Sequence, residues 1–160
     1  MLNKKYGKLE RWFLCLVTIF LLLFVSAEFG VSRASPAVAT IQKLSGTATV
    51  FRQGKTIPAT VGLEIFENDT LHTGPDASIG LVFNDDTLLS LGPESVFVID
   101  EFVFRPREEK FSIVFRMLRG TAAYLSGLIS KLSPESAHFK TPNASIGIRG
   151  TKFVVKVEEE

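Results

Sequence analysis

Alternation of apolar and polar residues is the feature that most constrains the fold of this chain. From Thr40 to Val157, apolar positions recur at every second residue and not at the wider spacing of a helix. In the segment 111–117 the alternation is plain, with Phe111, Phe115 and their same-face neighbours separated by more polar positions. Short strands with Gly, Pro, Asn or Asp between them predict an all-β domain, either a sandwich or roll or a solenoid-like arrangement.

Turn residues divide this part of the chain into strands. The loop Asn84-Asp85-Asp86-Thr87 lies between Ser78–Phe83 and Leu88–Leu91 and predicts a β-hairpin. A strand is also expected over Thr56–Val61, and its Pro58 places it at a sheet edge because proline cannot donate to a ladder. Val96–Phe104 is expected to form a long strand.

One segment departs from the period of two. In Thr121–Leu132 the apolar residues fall near helical spacing, although Gly127 weakens helix formation there. One short helix or a loose turn is therefore expected in this segment.

Residues 1–34 have the organisation of a secretory signal. Met1–Arg11 is basic, Trp12–Val25 is apolar, and small residues follow at two places suited to cleavage. The alternative is an uncleaved helix that tethers the protein to the inner membrane through residues 12–31. Either interpretation predicts export of the β domain. This domain is expected to span residues 40–157, and the acidic tail 158–160 follows it.

Charge and cysteine content limit the partners and the chemistry. Residues 35–160 contain 13 Lys and Arg against 15 Asp and Glu, so they lack the basic character of a nucleic-acid-binding domain. The single cysteine, Cys15, lies in the apolar N-terminal run, so an exported domain would have to be held together by its core. Several phenylalanines could instead line an apolar groove, but core positions are favoured for Phe97, Phe102, Phe104, Phe111 and Phe115.

Residues able to perform catalysis or bind metal are scattered. Asp85 and Asp86 are adjacent and are expected in a solvated turn. His72 and His138 are far apart in the sequence and have no Cys or acidic residues at the spacing of a zinc site. Neither Ser126 nor Ser145 lies in the Gly-x-Ser-x-Gly pattern of a nucleophile elbow. The sequence therefore predicts a protein that is not an enzyme and has no cofactor and no metal site. The residues considered and set aside are Asp85, Asp86, His72, His138, Ser126 and Ser145.

The closing segment carries a recognisable motif. Thr141-Pro-Asn-Ala-Ser-Ile-Gly-Ile-Arg-Gly-Thr151 resembles the last motif of the FecR domain, an extracytoplasmic β module. Gly62–Gly74 resembles the central motif of the family, with Asn68 in a glycine position, and Asp86 occupies another. Because Asn and Asp tolerate the left-handed conformation better than most residues, the turns are expected to survive. The similarity extends from about Ile41 to Val157.

The resemblance implies a location and a type of function. It implies a periplasmic or cell-envelope domain that binds a partner envelope protein, with signal relay as one role. A glycan- or peptidoglycan-associated binding protein is the alternative, although Tyr124 is the only Tyr or Trp in the expected exported part. Only about eleven residues precede the apolar run, so we expect no sigma-factor-binding domain in this chain.

The candidate site is the glycine-flanked corner within the closing motif. Gly147, Arg149, Gly150 and Thr151 are expected to bind a partner or to stabilise the corner. Arg149 could present its planar guanidinium to a partner, or could clamp the corner internally through a salt bridge or carbonyl contacts. The internal role is favoured because flanking glycines often accompany close backbone packing. A partner strand could also add to an exposed sheet edge.

Overall fold

Residues 35–150 and 152–158 are described by the computed structural model, and they lie within one compact unit. The predicted signal or anchor segment, residues 1–34, lies outside the described residues. Thr151 and the last two residues of the acidic tail also lie outside them. Within the described ranges, no helix is both long enough and apolar enough to cross a membrane.

Strands make up more than half of the described residues, in keeping with the alternation in the sequence. Two single-turn 3₁₀ segments, Pro106–Glu108 and Pro134–Ser136, interrupt them. The elements are β1 Ala39–Ser45, β2 Ala48–Arg52, β3 Lys55–Pro58, β4 Glu64–Ile65, β5 Thr70–Thr73, β6 Ser78–Phe83, β7 Leu88–Leu91, β8 Val96–Arg105, β9 Lys110–Leu125, α1 Ile129–Leu132, β10 Ala137–Thr141, β11 Ala144–Gly147 and β12 Lys152–Val157.

The strands form one curled sheet that folds into two layers. The first layer has the order β3-β2-β5-β8-β9-β10-β11, and the second has the order β4-β1-β6-β7-β9-β12. All pairs are antiparallel except β9 with β10. Strand β9 belongs to both layers, because its first part pairs with β8 and β10 and its last part pairs with β7 and β12.

The passage of β9 from one layer to the other occurs at Gly120. This residue has a φ of +91°, in the region that favours glycine. A Cβ at this position would lie 2.5 Å from the Cα of Ser95, so a larger residue does not fit. Ser95 is buried, and its hydroxyl accepts a hydrogen bond from the amide of Thr121 at 3.1 Å. This contact fixes the point at which the long strand changes layers.

Aromatic rings connect the two layers in the core. The ring of Phe83, on β6, lies 5.3 Å from that of Phe102 on β8 and 4.8 Å from that of Phe115 on β9. The contacts continue through Tyr124, whose ring lies 5.0 Å from that of Phe153 on β12. Burial of large aromatic side chains supplies much of the hydrophobic stabilisation that a domain without disulfides needs.

Most sequence expectations for the fold are confirmed. The domain is all-β with one short helix, and its two packed layers correspond to the sandwich or roll and not to the solenoid-like alternative. The β6–β7 hairpin has the predicted bounds, and the strand that holds Pro58 lies at an edge. The predicted left-handed turns are present, with a φ of 67° at Asn68 and 66° at Asp86.

The prediction for Thr121–Leu132 was partly wrong. Strand β9 continues to Leu125, and the helix α1 contains only Ile129–Leu132. Ala122 and Tyr124 are buried and their neighbours are more exposed, so the strand period persists to the end of β9. The apolar residues at near-helical spacing belong to two different elements, the end of strand β9 and the helix α1. The strand predicted over Thr56–Val61 likewise ends at Pro58.

Candidate functional site

The predicted corner lies between β11 and β12, the last two strands. Gly147 ends β11, and Gly150 precedes the start of β12 at Lys152. Between them, the buried Ile148 donates its amide to the carbonyl of Ala137 at 2.9 Å and so anchors the corner to β10. Thr151, the fourth predicted site residue, lies outside the described residues.

Both glycines of the corner are exposed and face open space. A Cβ at Gly147 or Gly150 would meet no atom of the described residues within 4 Å. Gly150 has a φ of +59°, so its requirement for glycine is conformational. The close packing expected around these glycines is therefore not observed in the described part of the corner.

Arg149 is exposed at the tip of the corner. No hydrogen bond or ion pair joins its guanidinium to another residue within 35–150 or 152–158. Its role as an internal clamp stays a prediction, and its exposure leaves the guanidinium accessible to a partner. A guanidinium in this position can donate two parallel hydrogen bonds to a carboxylate or to main-chain carbonyls.

A groove lies between the two strands that the corner connects. It has a volume of roughly 680 Å³ and is lined by the β10–β11 turn, part of β11 and the second half of β12. Strand β11 pairs only with β10 and β12 pairs only with β9, as far as the described residues go. Each strand therefore has one edge whose backbone groups are not used in a ladder, and such edges can accept another strand.

The two faces of β12 differ in chemistry. Phe153, Val155 and Val157 are half-buried against the core, as their alternation predicted. Lys152 and Lys156 lie on the exposed face, and Val154 between them is 65% exposed. The strand thus combines an apolar inner face with a basic outer face.

A surface ion pair lies at the end of β12. The ammonium of Lys156 donates to the carboxylate of Glu158 at 2.7 Å. The hydrogen bond and the attraction between the two charges raise the pKa of Lys156 and lower the pKa of Glu158. Both side chains are exposed, so water and salt screen this interaction.

Asp85 corrects a sequence interpretation. It was expected in a solvated turn, but its side chain is fully buried. Its carboxylate accepts hydrogen bonds from the hydroxyl of Thr87 at 2.9 Å and from the amide of Ile129 at 3.2 Å. The loop before α1 covers it, and a Cβ on Gly127 would lie 2.2 Å from the Asp85 carbonyl oxygen. Asp86 is exposed, as expected.

Tyr124 lies beside this buried carboxylate. The pKa of Tyr124 is raised to about 12, chiefly by burial and also by the charge of Asp85, while the nearby Thr87 side chain acts to lower it. The Tyr124 hydroxyl has no well-aligned hydrogen-bond partner among the described residues. Asp85, Thr87 and Tyr124 are all buried, so their polar groups stabilise the fold and are not accessible to a substrate.

The remaining candidates do not come together. His72 lies on β5 and His138 on β10, and no group of three His, Cys, Asp or Glu within the described ranges is arranged to hold a metal ion. Ser145 is on the exposed edge strand β11, whereas Ser126 follows the end of β9. Of the five phenylalanines considered for a groove, Phe97, Phe102 and Phe115 are in the core. Phe104 and Phe111 are partly buried against it.

Sequence reasoning missed one partly buried ion pair, between Arg52 and Asp69. The guanidinium of Arg52 donates to both carboxylate oxygens of Asp69, at 2.8 and 2.7 Å, and lies 4.4 Å from the centre of the Phe66 ring. The hydrogen bond with Asp69 raises the pKa of Arg52. The pair ties β2 to the turn before β5, so its role is structural. The only sequence signal for this ion pair was that Asp69 follows Asn68 in a predicted turn.

The family model described as FecR protein matches residues 69–160, more than half of the chain. The matched segment contains the corner and the groove, whereas the resemblance noted from Ile41 to Asn68 lies before it. No curated protein and no solved structure matches the chain.

Proposed function

We propose, because this chain belongs to the FecR protein family, that it is an exported, non-enzymatic binding domain of the cell envelope. Proteins of this family are generally components of signal-transduction regulators and are not known as enzymes. They are typically membrane-associated or periplasmic. The finer proposal is that this domain binds an envelope protein through the opening between β11 and β12.

The observation that carries the proposal is the pair of unpaired strand edges beside one groove. A partner segment in extended conformation can continue a sheet layer by pairing with β12 or β11, and main-chain hydrogen bonds then provide affinity. Side chains of alternating polarity on the partner would suit the two faces of β12. The groove has room for such side chains between the strands.

Arg149 is proposed to orient the partner at the corner. Its exposed guanidinium lies where β11 leads into β12, so a partner strand that pairs along the full length of either edge would reach it. A bidentate contact to a carboxylate or carbonyl of the partner would fix the direction of the added strand. In this proposal, the arginine at the tip of the corner serves to bind the partner and not to pack against the rest of the domain.

Glycan binding receives less support than protein binding. Proteins that bind sugars commonly offer exposed Trp or Tyr rings, and the only such residue after residue 34 is Tyr124. Tyr124 is buried in the core. No residue among those that line the groove is aromatic.

Site-specific photocrosslinking in intact cells tests the binding site. A photoreactive amino acid at Val154 or Arg149 should yield the same crosslinked envelope protein, which mass spectrometry would identify. The matched control is Val61, which is also exposed but lies in the turn between β3 and β4. Equal yields of that protein from all three positions, or none from Val154 and Arg149, would refute the proposed site.

The arginine has its own test. Arg149→Lys should leave the thermal midpoint unchanged and reduce the crosslink yield from Val154, because a point charge cannot replace the planar fork. Arg107→Lys, at another exposed arginine, is the control and should change neither quantity. A lower thermal midpoint for Arg149→Lys would restore the internal clamp and remove Arg149 from the binding site.

Export can be tested separately from binding. A fusion of residues 1–40 to a reporter that is active only outside the cytoplasm should be active. A silent reporter, with the fusion retained in the cytoplasm, would refute the proposed location while leaving the binding surface to be judged by crosslinking.

A further inference from the structure

Strand β12 has an outer edge that pairs with no other strand within the described residues. Exposed sheet edges tend to pair with other strands unless a bulge, a proline, charged side chains or a covering loop prevents it, and the charged side chains on β12 are Lys152 and Lys156. Lys152–Val157 contains no proline, and its register with β9 runs without a shift from Lys152 opposite Leu125 to Val157 opposite Gly120. The edge is thus regular over six residues and suited to pairing.

The sequence of this edge is complementary to itself in the antiparallel register centred on Val155. Residues that face each other in an antiparallel pair lie on the same face of the sheet. If Val155 lies opposite Val155 of a second copy, Phe153 faces Val157 and the apolar inner face continues from one copy to the other. On the outer face, Lys152 then lies opposite Glu158 and Val154 lies opposite Lys156.

The neighbouring registers are disfavoured by charge. Moving the two-fold axis to Val154 places Lys152 opposite Lys156, and moving it to Lys156 places that lysine opposite itself. Like charges directly opposite each other on a sheet are destabilising, whereas opposite charges stabilise. Among the registers centred on residues 154, 155 and 156, the two lysines therefore favour the one centred on Val155, which also pairs more of the strand than an axis nearer either end.

We propose that a second copy of this chain covers the β12 edge, through antiparallel pairing of β12 with β12 about a two-fold axis at Val155. Such an interface uses the same patch on both copies and closes on itself, so it makes a dimer and not a fibre. Two symmetry-related ion pairs form, each between Lys152 of one copy and Glu158 of the other. The strand pair involves only about six residues of each copy, fewer than a standard interface uses, so a weak dimer is expected.

The dimer rests on the free β12 edge that the proposed function also uses. A partner strand that pairs with β12 would displace the second copy, and the two would compete. The two proposals can nevertheless fail separately, because self-association is measured on the purified protein and partner binding is measured in cells.

Single cysteines determine the register directly. In the full chain with Cys15→Ser, Val155→Cys should form a disulfide-linked dimer under mild oxidation, since facing Cα atoms lie about 4.5–5.5 Å apart, within disulfide reach. Lys152→Cys should not, because the two copies of residue 152 would be about 20 Å apart at about 3.4 Å per residue. Circular dichroism checks that both variants retain the strand spectrum.

Charge exchange tests the ion pairs. Lys152→Glu or Glu158→Lys alone should weaken dimerisation by about tenfold or more, measured by analytical ultracentrifugation, because each change affects both symmetry-related pairs. The double variant should recover most of the loss. Glu101→Lys, at an exposed position on β8, is the control and should leave the association constant unchanged.

Three results would overturn the proposal. The first is a protein that stays monomeric at every concentration tested. The second is a disulfide dimer from Val154→Cys but not from Val155→Cys, which would indicate the register with opposed lysines. The third is an equal yield of disulfide dimer from Val155→Cys and Lys152→Cys in the purified protein, which would show that the crosslinks come from random collisions and not from a fixed register.

Discussion

The carboxylate of Asp85 accepts a hydrogen bond from the backbone amide of Ile129 at 3.2 Å, across 44 residues of sequence. The carbonyl of Asp85 also accepts the amide of Leu128 at 2.7 Å. The β6–β7 loop therefore holds the start of α1 in place, and α1 is followed by the 3₁₀ segment Pro134–Ser136 and then by β10 and β11. Because the carboxylate is fully buried, no water can replace these bonds.

Replacing Asp85 should destabilise the domain markedly. Asp85→Ala leaves the amide of Ile129 and the hydroxyl of Thr87 without their acceptor, and we expect a loss of about 3 kcal/mol in the free energy of unfolding. Urea denaturation measures it. Asp86→Asn is the control, because Asp86 is exposed and Asn tolerates its left-handed backbone. Similar small effects for both variants would show that the buried bonds do not stabilise the fold.

Gly120 should tolerate no side chain where β9 changes layers. Gly120→Ala adds a strained backbone to a clash with Ser95, and we expect a loss of about 3 kcal/mol or more. Gly54→Ala is the matched control, since Gly54 also has a positive φ but open space around it, and about 1 kcal/mol is expected there. Thermal unfolding compares the two variants, and equal losses would mean that the approach to Ser95 is not a constraint.

Tyr124 should make the domain sensitive to alkaline pH. Its pKa is raised to about 12 in the folded protein, against about 10 for an unperturbed tyrosine. Because the folded state favours the neutral hydroxyl, the stabilisation is complete below about pH 10 and is lost as the pH rises toward about 12. The loss should amount to about 2–3 kcal/mol.

The variant Tyr124→Phe isolates this contribution. It should change stability little at neutral pH, since the buried hydroxyl has no well-aligned partner among the described residues. Between pH 10 and 12 the variant should lose less stability than the original protein does, as measured by urea denaturation. Parallel curves for the two proteins over that range would contradict a raised pKa at Tyr124.

Local sequence signals predicted the strands and turns well, because their causes are local. The β6–β7 hairpin and the left-handed Asn68 follow from alternation and from turn residues that lie next to each other in the chain. The helix was misplaced because apolar spacing in Thr121–Leu132 does not show where a strand ends. The strand continues to Leu125 since β7 and β12 pair with it from both sides.

Long-range contacts were beyond the reach of the sequence pattern. Nothing near Asp85 indicated that residues around Ile129 would cover it, so the aspartate was expected in solvent. The corner was located correctly between two strands, but the pattern could not show that Arg149 is exposed there. It also could not show which strand edges remain open, because that depends on the order of strands in the sheet.

Amide exchange along β12, resolved residue by residue by NMR, tests most directly whether this strand offers a free edge. In an antiparallel strand paired on one side, successive amides point alternately toward the neighbouring strand and away from it. In dilute protein we expect slow exchange at every second amide of Lys152–Val157 and fast exchange at the others, which should slow as the protein is concentrated. Slow exchange at every β12 amide in dilute protein, or uniformly fast exchange along the strand, would contradict the free edge.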